Sequence, residues 1–258
     1  MMRINELKRI WADGGTAFGA WCSTGSPVVA EALAQAGYDY VVFDMQHGLM
    51  GYDAYLSCLM AVSGTDVTPL ARVSSNNSGE IGRAIDSGAF GVIIPMVNSV
   101  EDAELAVANT RLFPEGNRSF GPIRIGNFLS RDPATINREI ACIVMIETAD
   151  GVEQAARILD VPGIDAVYIG PADLALTLGI EPGVTIQPGR HSDAIESIKV
   201  ACQARKVAAG IHCGNGAEAA SLATSGFQMI SVASDLAWLR SGARVDTDPV
   251  AKWRKSRE

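Results

Sequence analysis

The chain has 258 residues, 48% hydrophobic and 19% charged, with a net charge of -8. That length suits two small domains or a single α/β barrel of roughly 250 residues. The negative balance argues against nucleic acid or anionic membrane as the main partner, because both demand clustered Lys and Arg.

The N-terminal stretch "MMRINELKRIWADG" is charged and amphipathic, without the apolar core of a signal peptide. No run reaches the roughly 18 apolar residues of a membrane span. The five cysteines, Cys22, Cys58, Cys142, Cys202 and Cys213, form neither a C-x-x-C pair nor a His/Cys cluster. They read as reduced, buried thiols of a cytoplasmic protein, with no structural zinc site.

Short apolar runs then follow in a regular rhythm: "TAFGAWCS", "YDYVVFDM", "VTPLARVS", "FGVIIPMV", "IACIVMIE", "IDAVYIGP", "VAAGIHCG" and "FQMISVAS". Between them lie Ala-rich segments such as "SPVVAEALAQAG", "SGEIGRAIDSGA", "SVEDAELAVANT" and "DGVEQAARILDV", with apolar residues at three- and four-residue steps. These are strands buried on both faces alternating with helices packed against them. Gly37, Gly88, Gly163 and Gly226 stand where helices should stop. Eight repeats predict a single (β/α)₈ TIM barrel over residues 1–258. A doubly wound open sheet is the alternative, but "CSTGSP" lacks the G-x-G-x-x-G of its dinucleotide-binding form. The long Gly/Pro-rich stretches Phe113–Asp132 and Gly179–Ser192 are expected to act as lids.

Polar residues at the C-terminal ends of barrel strands are placed for chemistry. Here those ends carry Trp21, Asp44, Gln46, His47, Arg72, Glu147, Gly170-Pro171-Ala172-Asp173 and His212. Singly, Asp44 and Asp173 are equally well helix caps and Arg72 a solvated rim charge; together they suggest a site. Glu147 and Asp173 are the expected metal pair, suited to Mg²⁺ or Mn²⁺ completed by water. Arg72 has the planar fork that grips a carboxylate, and the backbone of "GPAD" opens a helix whose free N–H groups receive an anion. No lysine stands at a strand end, so Schiff-base chemistry has no candidate and any carbanion needs a metal as electron sink. His47 is then the natural base. Asp86 in "RAIDSGA" either orients it or is a solvated helix residue. His212 either lines the pocket or is a satisfied rim histidine, and His191 in "PGRHSD" is expected at the surface. "CGNG" at Cys213–Gly216 is a weak match to phosphate-binding loops.

In this order, "FDMQHG", "ARV", "AIDSGAFGVIIPMV", "MIETADGVE" and "YIGPADLALTLG" resemble the metal-dependent class II pyruvate aldolases of the HpcH/HpaI family over nearly the whole chain. The resemblance implies a (β/α)₈ barrel in a homohexamer whose last helix is exchanged between subunits. It also implies an aldolase that cleaves 4-hydroxy-2-oxo acids to an aldehyde and pyruvate or hydroxypyruvate, using Mg²⁺, Mn²⁺ or Co²⁺. Glu147 and Asp173 then correspond to the metal ligands, and Arg72 to the residue that binds the oxo-acid. His47 with Asp86 corresponds to the proton-moving dyad, Gly170–Ala172 to the carboxylate cradle, and Trp21 to a pocket wall. Asp44 would lie toward the aldehyde and near a neighbouring chain. Gln46 and Met145 depart from the family pattern, which more often has Glu and Gln there. Two other readings compete: a citrate-lyase or malyl-coenzyme A branch acting on a thioester, for which no basic cluster is seen, and a non-catalytic sensor of metal and oxo-acid.

Overall fold

The computed structural model describes residues 3–183 and 185–257. After helix α1 (Glu6–Ala12), strands and helices alternate as β1 (Ala17–Cys22), α2 (Pro27–Ala34), β2 (Tyr40–Asp44), α3 (Tyr52–Val62), β3 (Thr68–Arg72), α4 (Ser78–Asp86), β4 (Gly91–Ile94) and α5 (Val100–Thr110). Helix α6 (Pro133–Glu139) leads into β5 (Ala141–Ile146), α7 (Ala149–Ile158), β6 (Ala166–Ile169), α8 (Pro171–Thr177) and α9 (Arg190–Arg205). β7 (Ala208–Cys213), α10 (Gly216–Thr224), β8 (Met229–Ser234) and α11 (Asp235–Lys255) complete the chain. All eight strands are parallel and close in sequence order, β8 returning to β1. This is the (β/α)₈ barrel that the rhythm predicts.

Two cores follow from the two-residue period of a strand. Val41, Phe43, Cys142, Val144, Val167 and Ile169 face outward onto the helices. Tyr40, Val42, Leu70, Ile143, Met145 and Tyr168 face inward and fill the barrel. Gly19 lies against the Tyr40 ring, where a Cβ has no room. The N-terminal mouth is plugged by α1: Leu7 is fully buried, and the Asn5 amide donates to the carbonyls of Phe90 (2.8 Å) and Glu139 (2.6 Å). The four glycines expected to end helices all take positive φ, from 91° at Gly37 to 117° at Gly88.

Three expectations change. The stretch Phe113–Asp132 follows α5, so it lies at the N-terminal rim, opposite the strand ends that carry the polar residues. Arg118 and Arg124 pin it there, Arg124 donating to the Ser87 carbonyl at 2.8 Å. It is no lid over its own barrel; the other expected lid, Gly179–Ser192, includes a position outside the described residues, and its last three residues belong to α9. His191, expected at the surface, is fully buried in the first turn of α9, its Nδ1 accepting from the Gln187 N–H. The "CGNG" loop is filled by its own helix, Glu218 accepting from the Gly214 N–H at 2.9 Å. No helix among the described residues is long and apolar enough to cross a membrane.

Candidate active site

The inward parity of the strands builds the site. Continuing the alternation that points Leu70 and Met145 inward carries Arg72 and Glu147 into the C-terminal mouth, and Trp21, Asp44, Tyr168 and His212 obey the same rule. A pocket of about 240 Å³ opens there. Trp21, His47, Arg72, Glu147, His212 and the run Gly170–Asp173 all line it.

Arg72 is the centre of the polar network. Its Nε and Nη2 donate to the two oxygens of Asp44 at 2.9 and 2.6 Å, and its guanidinium lies over the Trp21 ring at 4.9 Å. Asp44 also accepts from the Trp21 indole (3.1 Å) and from the backbone N–H groups of Gln46 and His47. Burial alone would raise the Asp44 pKa, but the bonds and charge of Arg72, helped by Trp21 and the His47 N–H, hold it below the usual carboxylate range. Asp44 is 2% exposed and does not line the pocket. It therefore stands behind Arg72 as its support, not at the aldehyde end as expected. Arg72 Nη1 makes no bond to another described residue and remains for a ligand.

Glu147 is 1% exposed, and its Oε1 accepts from the Met96 N–H at 2.9 Å. Met96 takes a left-handed φ of 56° at that turn, a cost borne at a polar site. Oε2 lies on the backbone of Gly170, where any Cβ would collide with it. No side-chain cation pairs with Glu147 among the described residues. Burial, reinforced by the charge of Asp173, raises its pKa despite the Met96 N–H and Arg72. A buried carboxylate beside a second one needs a positive partner, and two oxygen donors at an open, small pocket fit a divalent cation such as Mg²⁺ or Mn²⁺ that keeps water or substrate as its other ligands. Among the described residues no third His, Cys, Asp or Glu joins them.

Pro171 occupies the first position of α8, where its missing N–H costs nothing, and the first-turn N–H groups of Ala172 and Asp173 have no helical partner. Asp173 is thus not the N-cap; Gly170 is. His212 packs edge-on against Trp21 at 5.5 Å, with the Tyr168 hydroxyl 3.3 Å from its Nδ1. Burial, with the nearby charge of Arg72, lowers its pKa to about 4, so the ring is neutral at pH 7. Of its two readings, the pocket wall holds.

Asp86 is elsewhere. It closes α4, a helix of nine residues, and at 1.5 Å per residue that puts it roughly 13 Å below the helix start, toward the opposite rim from His47. There it pairs with Arg118 at 2.7 Å. Within one chain it does not orient His47. Tyr168, Ser23 and Ser234 also line the pocket; the inward parity of β6 and the two strand-end serines were the available signals.

A family model described as HpcH/HpaI aldolase/citrate lyase matches residues 17–241. A hydroxypyruvate/pyruvate aldolase of Rhizorhabdus wittichii is 35% identical over 242 residues, spanning 93% of this chain and 96% of its own length. A 5-keto-4-deoxy-D-glucarate aldolase of Klebsiella pneumoniae is 32% identical, spanning 96% and 97%. An HpcH/HpaI aldolase/citrate lyase family protein from Burkholderia cenocepacia superposes with a TM-score of 0.88 at 33% identity, covering 96% of this chain and 99% of the other. The chain belongs to the HpcH/HpaI aldolase/citrate lyase family.

Proposed function

We propose that the protein is a carbon–carbon lyase, an aldolase that reversibly cleaves 4-hydroxy-2-oxo acids to an aldehyde and pyruvate or hydroxypyruvate. The observation that carries this is the buried Glu147, with Asp173, facing Arg72 in a pocket of about 240 Å³. Such a volume suits a short oxo-acid and is small for a coenzyme A thioester. The relatives named hydroxypyruvate/pyruvate aldolase and 5-keto-4-deoxy-D-glucarate aldolase support the same reading.

A divalent cation held by Glu147 and Asp173 supplies Lewis-acid stabilisation of the charge that grows on the 2-oxo oxygen. The chain does the rest. The first-turn N–H groups of Ala172 and Asp173 receive the substrate carboxylate. Arg72, locked by Asp44 and Trp21, presents its remaining donors to the oxyanion without having to reorganise. Trp21, Met145 and Tyr168 wall the pocket against water. His47 takes the proton from the 4-hydroxyl; the C3–C4 bond breaks, C4 becomes the aldehyde carbonyl, and the electron pair enters the enolate. A proton returned to C3 completes the oxo-acid. The test is to incubate pyruvate and hydroxypyruvate separately with a panel of aldehydes and Mg²⁺, Mn²⁺ or Co²⁺, reading aldol products. No product with any pair would overturn the reading.

Arg72→Lys keeps the charge and loses the fork, so the two-point grip on Asp44 is lost and the oxyanion donor moves. A fall in kcat/KM worth about 2 kcal/mol is expected, the scale of a charge-assisted hydrogen bond. A Lys variant with normal kcat/KM would reduce Arg72 to a rim charge.

The working form proposed is a homo-oligomer, a hexamer by family resemblance, with α11 packed on another subunit. Along α11, Leu239, Val245, Val250 and Trp253 are 48% to 73% exposed, more apolar surface than one free helix normally shows. In such an assembly the Asp86 that orients His47 comes from another copy, since the chain's own lies at the far rim. Co-assembling His47→Ala with Asp86→Asn should then restore activity that each variant lacks alone, because some sites receive both native residues. Sedimentation as a 27.2 kDa monomer, or mixtures no better than the parents, would refute this.

A further inference from the structure

Asp235 is a buried carboxylate that the chemistry above does not use. It opens α11 and is 7% exposed. Its Oδ1 accepts from the N–H groups of Ser23 (3.0 Å) and Leu236 (2.8 Å), and its Oδ2 from the N–H (3.0 Å) and hydroxyl (2.7 Å) of Thr24. No ion pair reaches it among the described residues. Its charge is held by those donors and by its place at the start of a 21-residue helix. Capping does not explain it, because Ser234 is the N-cap and accepts from the Ala237 N–H. Ala233, just before, takes a left-handed φ of 53°, turning the chain where the carboxylate is aimed back at the β1–α2 loop.

The next link leads to His47. The Ser23 carbonyl accepts from the Leu49 N–H at 2.7 Å. Gly48 between them has no room for a Cβ, which would meet the carbonyls of Asp44 and Ser23. Beyond Met45, whose N–H still donates to the Arg72 carbonyl at 2.9 Å, residues 46–49 therefore hang from two anchors. Asp44, on Arg72, holds the Gln46 and His47 N–H groups at one end; Ser23, on Asp235, holds Leu49 at the other. Ser23, Ser234 and His47 share the pocket.

We infer that Asp235 is a positioning residue that fixes the His47 loop through Ser23 and Thr24, and so ties that loop to the seating of α11. The catalytic part of this inference rests on the aldolase reading; the mechanical part does not. Asp235→Asn replaces an acceptor with an amide donor facing N–H groups. Amide hydrogen exchange of residues 46–49 should quicken at least about tenfold, the cost of a bond to a charged acceptor, while amides of β3–β6 keep wild-type protection. kcat for pyruvate methyl-proton exchange should fall by a similar factor, with KM for pyruvate and affinity for Mn²⁺ within about twofold. Thr24→Val removes one of the donors to Asp235, with a long acceptor contact to the Ser26 N–H (3.4 Å), and should show the same pattern at smaller size, which keeps the test available should the Asn variant misfold. Quicker loop exchange with unchanged kcat would uphold the linkage and count against His47 as the base. Unchanged protection at 46–49, or protection lost evenly around the barrel, would overturn the inference.

Discussion

Exhaustive chelation should abolish turnover, and Glu147→Gln or Asp173→Asn should depress metal affinity and kcat/KM by roughly a thousandfold or more. Lewis-acid stabilisation of a developing oxyanion is worth several kcal/mol, and each 1.4 kcal/mol is about tenfold. The two carboxylates are not equivalent. Glu147 is buried, bonded to the Met96 N–H and pressed onto Gly170, so its geometry is set in advance; Asp173 is half-buried on the first turn of α8. The Glu147 change should therefore be the costlier for catalysis. It removes the charge but leaves the amide in the same place, so fold and Tm should hold or improve, since burial opposes the ionised form. Measuring Mn²⁺ affinity calorimetrically alongside turnover separates the two effects. Full activity after chelation would end the metal-dependent reading. So would a borohydride-trapped adduct with pyruvate, because no lysine lines the pocket.

The strands and their inward parity were legible because burial on both faces leaves an unmistakable apolar run, and period two then assigns every second residue to the barrel interior. That reasoning places Trp21, Arg72, Glu147 and His212 correctly. It says less about partners. Asp44 shares the parity of Arg72 and pairs with it directly in register, so the carboxylate meets the guanidinium before any substrate does; a residue-by-residue reading lists both as ligand contacts and misses the pair. Asp86 shows a different limit. A family resemblance transfers a role without saying which copy of the chain supplies it, and only the position of α4's end reveals that one chain cannot. The rim that Phe113–Asp132 occupies is not legible from its length, because loop length carries no information on position, whereas its place after a helix does. His191 follows from the same cause: a polar residue inside "PGRHSD" looks exposed until α9 packs it inward.

His47→Ala should eliminate two activities together. Exchange of pyruvate methyl protons with deuterated water needs an oxo-acid site and a base but no aldehyde, so it isolates proton transfer from carbon–carbon cleavage. His47 lines the pocket on the exposed loop after β2, and a positioned base contributes about 10²–10⁴-fold. Both rates should drop within that range. Asp44→Asn is the informative partner. Were Asp44 an aldehyde contact, cleavage would suffer and exchange survive. The structure instead makes it the anchor of the Arg72 fork, the Trp21 indole and the His47 backbone, so exchange and cleavage should fall in parallel. Removing one partner of a buried charge pair costs about 3–5 kcal/mol, so this variant also needs a Tm measurement to show that it is folded when assayed. Cleavage lost with exchange intact would return Asp44 to the aldehyde. A His47→Ala variant that still exchanges protons at the wild-type rate would take the base role away from His47; the other imidazole in the pocket, His212, is a poor replacement, because burial lowers its pKa to about 4 and so opposes its protonation.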